Sequence, residues 1–401
     1  MKKGIYIHIP FCKSRCVYCG FYSTTRAELS KRYTQALLRE MDLRRKAEAS
    51  LGTHNTDTIY LGGGTPSVLH ISDMEQILLH VQQVYPGNVR EITVEMNPDD
   101  VTPQYVSVLR SLGVNRISMG VQSFDDKRLH FLRRRHSARQ AMEACQTIRQ
   151  AGIDNISIDL MFGFPDEHID DWTRDIRTAL SLEPNHISAY CLMYEEGTPL
   201  YRMLQDGKVK QIDEDTYLLM YSTLIDLLAA HGYEHYEISN FAKSGYRSIH
   251  NSSYWRDVPY MGFGASAHSY NGKRRSWNID NLQQYMLSIE GGSLPAEHEE
   301  IDADTHYNDL VTTAMRTVEG LDLEALSDEH KRYALQSATD SLNNGTIELC
   351  NNHLRLTRKG LFVSDTVMSD LMLVKCSRPL ESRETSLVPL KSKPSNIILK
   401  A

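Results

Sequence analysis

Six short apolar, β-rich runs recur through the first half of the chain, each but the last followed by a stretch with helical spacing. This rhythm restricts the fold more than any other feature. The runs are IYIHI (5–9), DTIYL (57–61), EITVEM (91–96), RISMGV (116–121), NISIDLMF (155–162) and HISAYCL (186–192). Helical candidates lie at 27–49, 72–84, 102–112, 137–151 and 168–182. In the last of these Ile169, Trp172, Ile176, Ala179 and Leu180 fall near one face. Strand–helix alternation implies parallel pairing, because each crossover returns the chain to the same end of the sheet. An α/β fold built as an open or partial (β/α)6 barrel is therefore expected over residues 1–232, with chemistry at the C-terminal strand ends.

The rest of the chain follows other patterns. Residues 233–303 are rich in Gly, Ser, Tyr and Asn, which predicts long ordered loops around a site. From 304 to 376, helical stretches near 305–317, 322–328 and 330–343 precede TIELCNNHLRLT, a hairpin turning at Asn351-Asn352, and a closing helix in RKGLFVSDTVMSDLML. Three helices and a hairpin predict a small winged-helix-like α+β domain. The polar, Pro-interrupted segment 377–401 predicts a flexible tail.

Composition narrows the function classes. The hydrophobic share of 41% and charged share of 24% are those of a soluble globular protein, and a net charge of -7 argues against a nucleic-acid partner. No run approaches the ~20 apolar residues of a membrane span. The opening MKKGIYIHIP stops being apolar at Pro10 with no cleavage-site pattern, which predicts a buried first strand and not a signal peptide. Seven cysteines, four of them scattered (Cys145, Cys191, Cys350, Cys376), make a poor disulfide framework. A reducing, cytoplasmic location is expected.

The other three cysteines, Cys12, Cys16 and Cys19, share the loop after the first strand with spacing CxxxCxxC. Zinc sites usually draw four ligands from two pairs, and a CxxC redox pair leaves Cys12 unexplained. Three thiolates on one short loop can hold three irons of a 4Fe–4S cube and leave the fourth open. A structural zinc site or incidental cysteines are the alternatives.

CKSRCVYC, with an aromatic residue before its third cysteine, resembles the radical S-adenosylmethionine (SAM) superfamily motif. That resemblance implies a partial barrel whose cluster chelates SAM at the open iron and can reduce it to a 5′-deoxyadenosyl radical. It also implies a SAM pocket at the strand ends. The matching residues are Tyr6, Tyr18, Gly63, Gly64 and Thr65 of LGGGTPS, Glu95 closing strand three, Gln122 in GVQSF, Arg134 in FLRRRH and Asp159 in SIDLMFG. YIHIPFC, YLGGGTPS, VEMNPDD, GVQSF, IDLMFGFP, YEISNFA and HNSSYW together resemble the anaerobic coproporphyrinogen III oxidase-like family over about residues 4–376. In the oxidase itself a fourth cysteine, needed for activity, follows the third; here that position is Phe21. The family's haem-chaperone branch lacks that cysteine and carries HNxxYW, matched by His250, Asn251, Tyr254 and Trp255.

The resemblance therefore implies a haem-binding chaperone that serves acceptor haemoproteins, membrane-associated respiratory enzymes among them, and it allows a homodimer. Neutral imidazole suits a haem axial ligand, and Tyr254 and Trp255 offer flat faces. His8 and His268 are rival ligands. The alternative activity is oxidative decarboxylation of coproporphyrinogen III, and a third is another radical-SAM reaction. Gln122, Arg134 and Asp159 are among the positions where a second SAM, held in the oxidase, remains an open matter.

Overall fold

The computed structural model describes residues 2–47 and 55–374; the expected tail at 377–401 and Cys376 lie outside them. All six expected strands form: β1 (Lys2–Ile9), β2 (Asn55–Gly63), β3 (Glu91–Met96), β4 (Arg116–Gln122), β5 (Asn155–Phe162) and β6 (His186–Cys191). They lie side by side in chain order, each parallel to the next. The crossovers carry α1 (Ser30–Ala47), α2 (Ile71–Val84), α3 (Pro103–Ser111), α4 (Asp126–Phe131), α5 (Ala138–Gln150) and α6 (Ile169–Ser181), and α7 (Pro199–Gln205) and α8 (Glu214–Ala230) follow β6. Helix starts obey local chemistry. Thr102 caps α3 by accepting from the Tyr105 amide, with Pro103 at the first helical position, and Ser137 and Gln140 cap α5 reciprocally.

Residues expected as long loops instead extend this sheet at both edges. They form β7 (Glu234–Glu237), β8 (Asn240–Ala242), α9 (Ile249–Trp255), β9 (Tyr260–Phe263), β10 (His268–Tyr270), β11 (Arg274–Asn278), α10 (Leu282–Glu290) and β12 (Ala296–Glu300). The sheet runs β12-β11-β10-β9-β1-β2-β3-β4-β5-β6-β8-β7. The small residues that read as loop chemistry serve close strand packing: a Cβ on Gly262 would fall 2.0 Å from the His268 carbonyl oxygen.

Side chains of the six parallel strands alternate strictly. Ile5, Ile7, Ile59, Leu61, Val94, Ile117, Met119, Ile156, Ile158 and Ile187 form the apolar set, all buried. They share the core with helical residues such as Leu37, Met41, Ile77, Val81, Leu109, Ile148 and Trp172. The opposite face carries Tyr6, His8, Thr58, Tyr60, Thr93, Glu95, Arg116, Ser118, Asp159, His186 and Ser188. Register places Thr93 beside Arg116, Glu95 beside Ser118 and Asp159 beside Ser188. Parallel strands are commonly apolar on both faces, so this largely polar inner face marks a candidate site.

Tyr254–Asp257 and the chain from Ile301 make a second compact unit. It contains α11 (Ala303–Ala314), β13 (Leu321–Asp322), α12 (Asp328–Ser337), α13 (Thr339–Asn343), β14 (Ile347–Cys350), β15 (His353–Leu356), α14 (Arg358–Leu361) and α15 (Ser364–Leu371). The expected hairpin forms at Asn351 and Asn352, both at positive φ. The helix expected over 322–328 does not, because the Asp322 carboxylate accepts from the Glu324 amide and turns the chain before α12. Tyr307, Val311, Leu321, Ile347, Leu354 and Leu371 are buried in this unit's own core.

Candidate functional site

The cysteine loop joins the C-terminal end of β1 to α1 and is pinned along its length. Thr24 donates its amide to Pro10 O (2.7 Å) and Cys12 donates to Thr24 O (2.9 Å), closing the loop's base. Val17 is buried with Leu132, Met161, Phe164, Leu192 and Leu200, and Tyr18 packs against this group. All three cysteines remain part-exposed and unbridged. Burial pushes the Cys12 thiol up and the Cys19 thiol to about 11, with Cys16 adding to both rises and Cys12 to that of Cys19. Among the described residues no three His, Cys, Asp or Glu converge as a single metal ion demands. A 4Fe–4S cube places each thiolate on a different iron and asks for no such convergence, so three loop cysteines with polar donors beside their sulfurs fit it.

Those donors come from the turns after β2 and α4. The Thr65 hydroxyl donates to Cys12 Sγ (3.6 Å) and Arg134 Nη1 donates to Cys16 Sγ (3.7 Å). Asn97, not singled out by the sequence, lies between them. Its Nδ2 donates to Thr65 Oγ1 (3.3 Å), and its Oδ1 accepts from Arg134 Nη2 (2.6 Å). Arg134 also donates to the Gly120 carbonyl.

The glycines of LGGGTPS do structural work around this site. A Cβ on Gly64 would lie 2.8 Å from Phe11 O and 2.9 Å from Ile9 O, while its amide donates to Ile9 O at 2.8 Å. Gly63 has φ +109 and faces the His8 ring. Their tight approach is to the backbone and ring beneath the cluster loop, where the sequence suggested approach to a ligand.

Glu95 and Asp159 lie on the polar face of the sheet. Burial raises the Glu95 carboxyl to about 7, with Asp159 adding to the rise; the Tyr60 hydroxyl (2.7 Å) and the Gly63 amide (3.2 Å) donate to it and hold it down. Burial likewise lifts Asp159 to about 6, against hydrogen bonds from Ser188 and Ser118. Arg116, also missed from the sequence because it opens its strand, is 1% exposed and lowers both carboxyls. Gln122 sits at a bulge of β4 with φ 71, a conformation unusual outside glycine. Tyr6 stacks on Tyr60 (6.2 Å between centroids) and contacts His8 Nδ1 (3.0 Å).

The structure thus gathers Cys12, Cys16, Cys19, Tyr18, Thr65, Glu95, Gln122, Arg134 and Asp159 at one end of the parallel strands. The HNxxYW residues lie elsewhere. His250 is fully buried toward the N-terminal halves of β1 and β2, where its Nδ1 meets Thr58 Oγ1 at 2.7 Å and its ring stacks on Tyr60 at 5.1 Å. Glu91 accepts from the Ile249 and His250 amides, both at 2.9 Å, and so caps α9. Burial, then the Arg116 charge, lowers the imidazole to about 3. Asn251 belongs to the same unit, whereas Tyr254 and Trp255 belong to the second, where the Arg316 guanidinium lies 5.3 Å from the Trp255 ring. His8 is buried with Nδ1 on Tyr6 and Nε2 on Tyr22 O (3.0 Å); His268 is half-buried, 6.0 Å from the Trp277 ring. No helix among the described residues is long and apolar enough to cross a membrane.

The family model described as the radical SAM superfamily matches residues 6–179. The heme chaperone HemW of Bacillus subtilis (strain 168) is 34% identical over 334 residues, spanning 82% of this chain and 87% of the relative. The heme chaperone HemW of Mycobacterium tuberculosis (strain ATCC 25618 / H37Rv) is 32% identical over 375 residues, 92% and 94% of the two chains. Among solved structures, coproporphyrinogen III oxidase (HemN) from Escherichia coli superposes with a TM-score of 0.78 at 20% identity, covering 92% of this chain and 89% of that one. That likeness establishes the fold, a radical-SAM-type barrel with a C-terminal domain carrying a small sheet.

Proposed function

The chain belongs to the HemW haem-chaperone family of the radical SAM superfamily, and on that premise we propose that it binds haem and passes it to acceptor haemoproteins. Cys12, Cys16 and Cys19 would hold a 4Fe–4S cluster, and the strand-end residues would hold SAM. When bound, the cluster supplies an electron donor with one iron open to SAM. Thr65 and Arg134 place hydrogen-bond donors against two of the cluster thiolates. Glu95, kept near neutrality, can accept from an ammonium or ribose hydroxyls as its proton leaves. Tyr6, Tyr18, Gly63, Gly64, Gln122 and Asp159 complete the proposed SAM seat.

Phe21 carries the choice between chaperone and oxidase. Its 37% exposed ring occupies the fourth position of the cysteine loop and offers no thiol for the oxidase reaction. The haem residues proposed are His250, Asn251, Tyr254 and Trp255. The imidazole of His250 is neutral across physiological pH, as an iron ligand must be, yet it is sealed against Thr58 and Tyr60. Uptake through it requires that release, whereas half-buried His268 needs less. A cytoplasmic location, respiratory enzymes among the acceptors and a homodimer are further parts of the proposal.

The test is anaerobic. Reconstitute the cluster, titrate haemin into wild type, His250→Ala and His268→Ala, and assay coproporphyrinogen decarboxylation in parallel. Saturable uptake of one haem without turnover, lost in His250→Ala, is the expected result. Multiple-turnover decarboxylation would overturn the chaperone reading. Loss of uptake in His268→Ala alone would move the ligand.

A further inference from the structure

Four hydrogen bonds link Cys12 to Cys16 through side chains from the turns after β2, β3 and α4. From Cys12 Sγ the path runs to the Thr65 hydroxyl (3.6 Å), Asn97 Nδ2 (3.3 Å), Asn97 Oδ1 to Arg134 Nη2 (2.6 Å), and Arg134 Nη1 to Cys16 Sγ (3.7 Å). Asn97 is the middle member. Its amide group donates to the Thr65 hydroxyl and accepts from the Arg134 guanidinium, so one planar group contacts both neighbours and sets how they point.

The position is itself held from behind. Pro98 restricts Asn97 to extended backbone, and its φ of -87 and ψ of 144 conform. Its backbone amide donates to Ser67 Oγ (3.3 Å), Ser67 donates to Asp100 Oδ2 (2.9 Å), and Asp100 pairs with Lys13 of the cysteine loop (2.5 Å). An outer chain of polar contacts thus runs parallel to the inner one, from the residue after Cys12 back to Asn97. Nothing in a helix-capping or loop-closing role needs the Asn97 side chain to span Thr65 and Arg134: the short turn it precedes receives no hydrogen bond from that side chain.

We propose that Asn97 is a positioning residue for the cluster site, acting through Thr65 and Arg134 to set the hydrogen bonds received by the Cys12 and Cys16 sulfurs and the seat of SAM beside them. This rests on the cluster and SAM assignment above. Hydrogen bonds to cluster sulfurs stabilise the reduced, more negative state, so losing them lowers the reduction potential. Loss of a partner that orients first ligands costs about 10–100-fold in affinity.

The experiment compares anaerobically reconstituted wild type, Asn97→Leu and Asn97→Asp. Iron and sulfide content, an EPR-monitored redox titration, and SAM affinity read from the EPR change on SAM addition are measured for each. Asn97→Leu should keep its iron and sulfide, show a lower potential and bind SAM about 10–100-fold more weakly. Asn97→Asp retains the acceptor for Arg134 and loses the donor to Thr65, so it should fall between. A Thr65→Val change added to Asn97→Leu should weaken SAM binding less than it does in wild type, because the two act along one path. Should Asn97→Leu fail to fold, Asn97→Asp and the Thr65→Val cycle on it decide the matter. Wild-type potential, EPR spectrum and SAM affinity in a loaded Asn97 variant would overturn the proposal alone. A wild-type chain that assembles no 4Fe–4S cluster would overturn the cofactor reading and this proposal with it.

Discussion

Glu95 combines two conflicting demands: its carboxylate accepts hydrogen bonds from Tyr60 and the Gly63 amide, and burial disfavours its charge. Burial lifts its carboxyl to about 7 from an ordinary value near 4.5. Because the folded value is the higher, its favourable contribution is complete below about pH 4.5 and disappears as pH rises through about 7. Ligand-free protein should therefore lose stability between pH 5 and pH 8. Glu95→Gln, which keeps an acceptor for Tyr60, should lose about 1–3 kcal/mol less over that interval. Urea unfolding at both pH values measures it; an equal loss in the two proteins would contradict the assigned burial cost. Residues of this kind were legible when they closed a strand within a quoted motif, as Glu95 and Thr65 do. Asn97 and Arg116 were not. A strand-opening arginine and an asparagine before proline look like flanks until the register places Arg116 beside Thr93 and the hydrogen bonds of Asn97 tie it to Thr65 and Arg134.

At the level of elements, the strand–helix rhythm was readable because period-2 and period-3.6 patterns alternate without interruption through six units. The same period-2 pattern held unused information, since polar residues recur at alternate positions through the six strands and so describe one polar face. Residues 233–300 were misread as loops because their strands, three to five residues long, are too short to show a period, and glycines such as Gly262 are selected by backbone approach and not by side-chain burial. Gly64 shows that logic in its strictest form. An added methyl would meet two carbonyl oxygens at 2.8 and 2.9 Å, and backbone cannot rotate away as a side chain can. Gly64→Ala should cost about 1–3 kcal/mol and displace Phe11, leaving Cys12 misplaced and the protein with less than its full complement of iron. Gly291→Ala is the control: its φ is -75 and its nearest contacts are 3.4 Å, so stability should change by less than about 1 kcal/mol. Equal iron content and equal midpoints in both variants would show that the glycine loop does not brace the cluster loop.

For the whole molecule, the sequence predicts a C-terminal domain from about residue 304, and the structure divides into two compact units at Ile301 with Tyr254–Asp257 assigned to the second. That short excursion was illegible because HNxxYW reads as one motif, whereas α9 carries its last two residues out of the barrel unit. Every cysteine and strand-end residue of the proposed cofactor site belongs to the barrel unit, and the second unit has a core of its own. Ligand binding to one unit stabilises that unit by mass action, by about 2.7 kcal/mol at one hundred times the dissociation constant. Cluster-loaded protein with saturating SAM should show the barrel transition raised by a few degrees in calorimetry, with the second unit's transition unmoved. Tryptophan fluorescence separates the two, because Trp172 and Trp277 lie in the barrel unit and Trp255 in the second. In a Trp172→Phe, Trp277→Phe variant the remaining signal reports the second unit alone. Its midpoint should be indifferent to SAM; if it rises in step with the calorimetric barrel transition, the two cores melt as one and stability is shared across the chain.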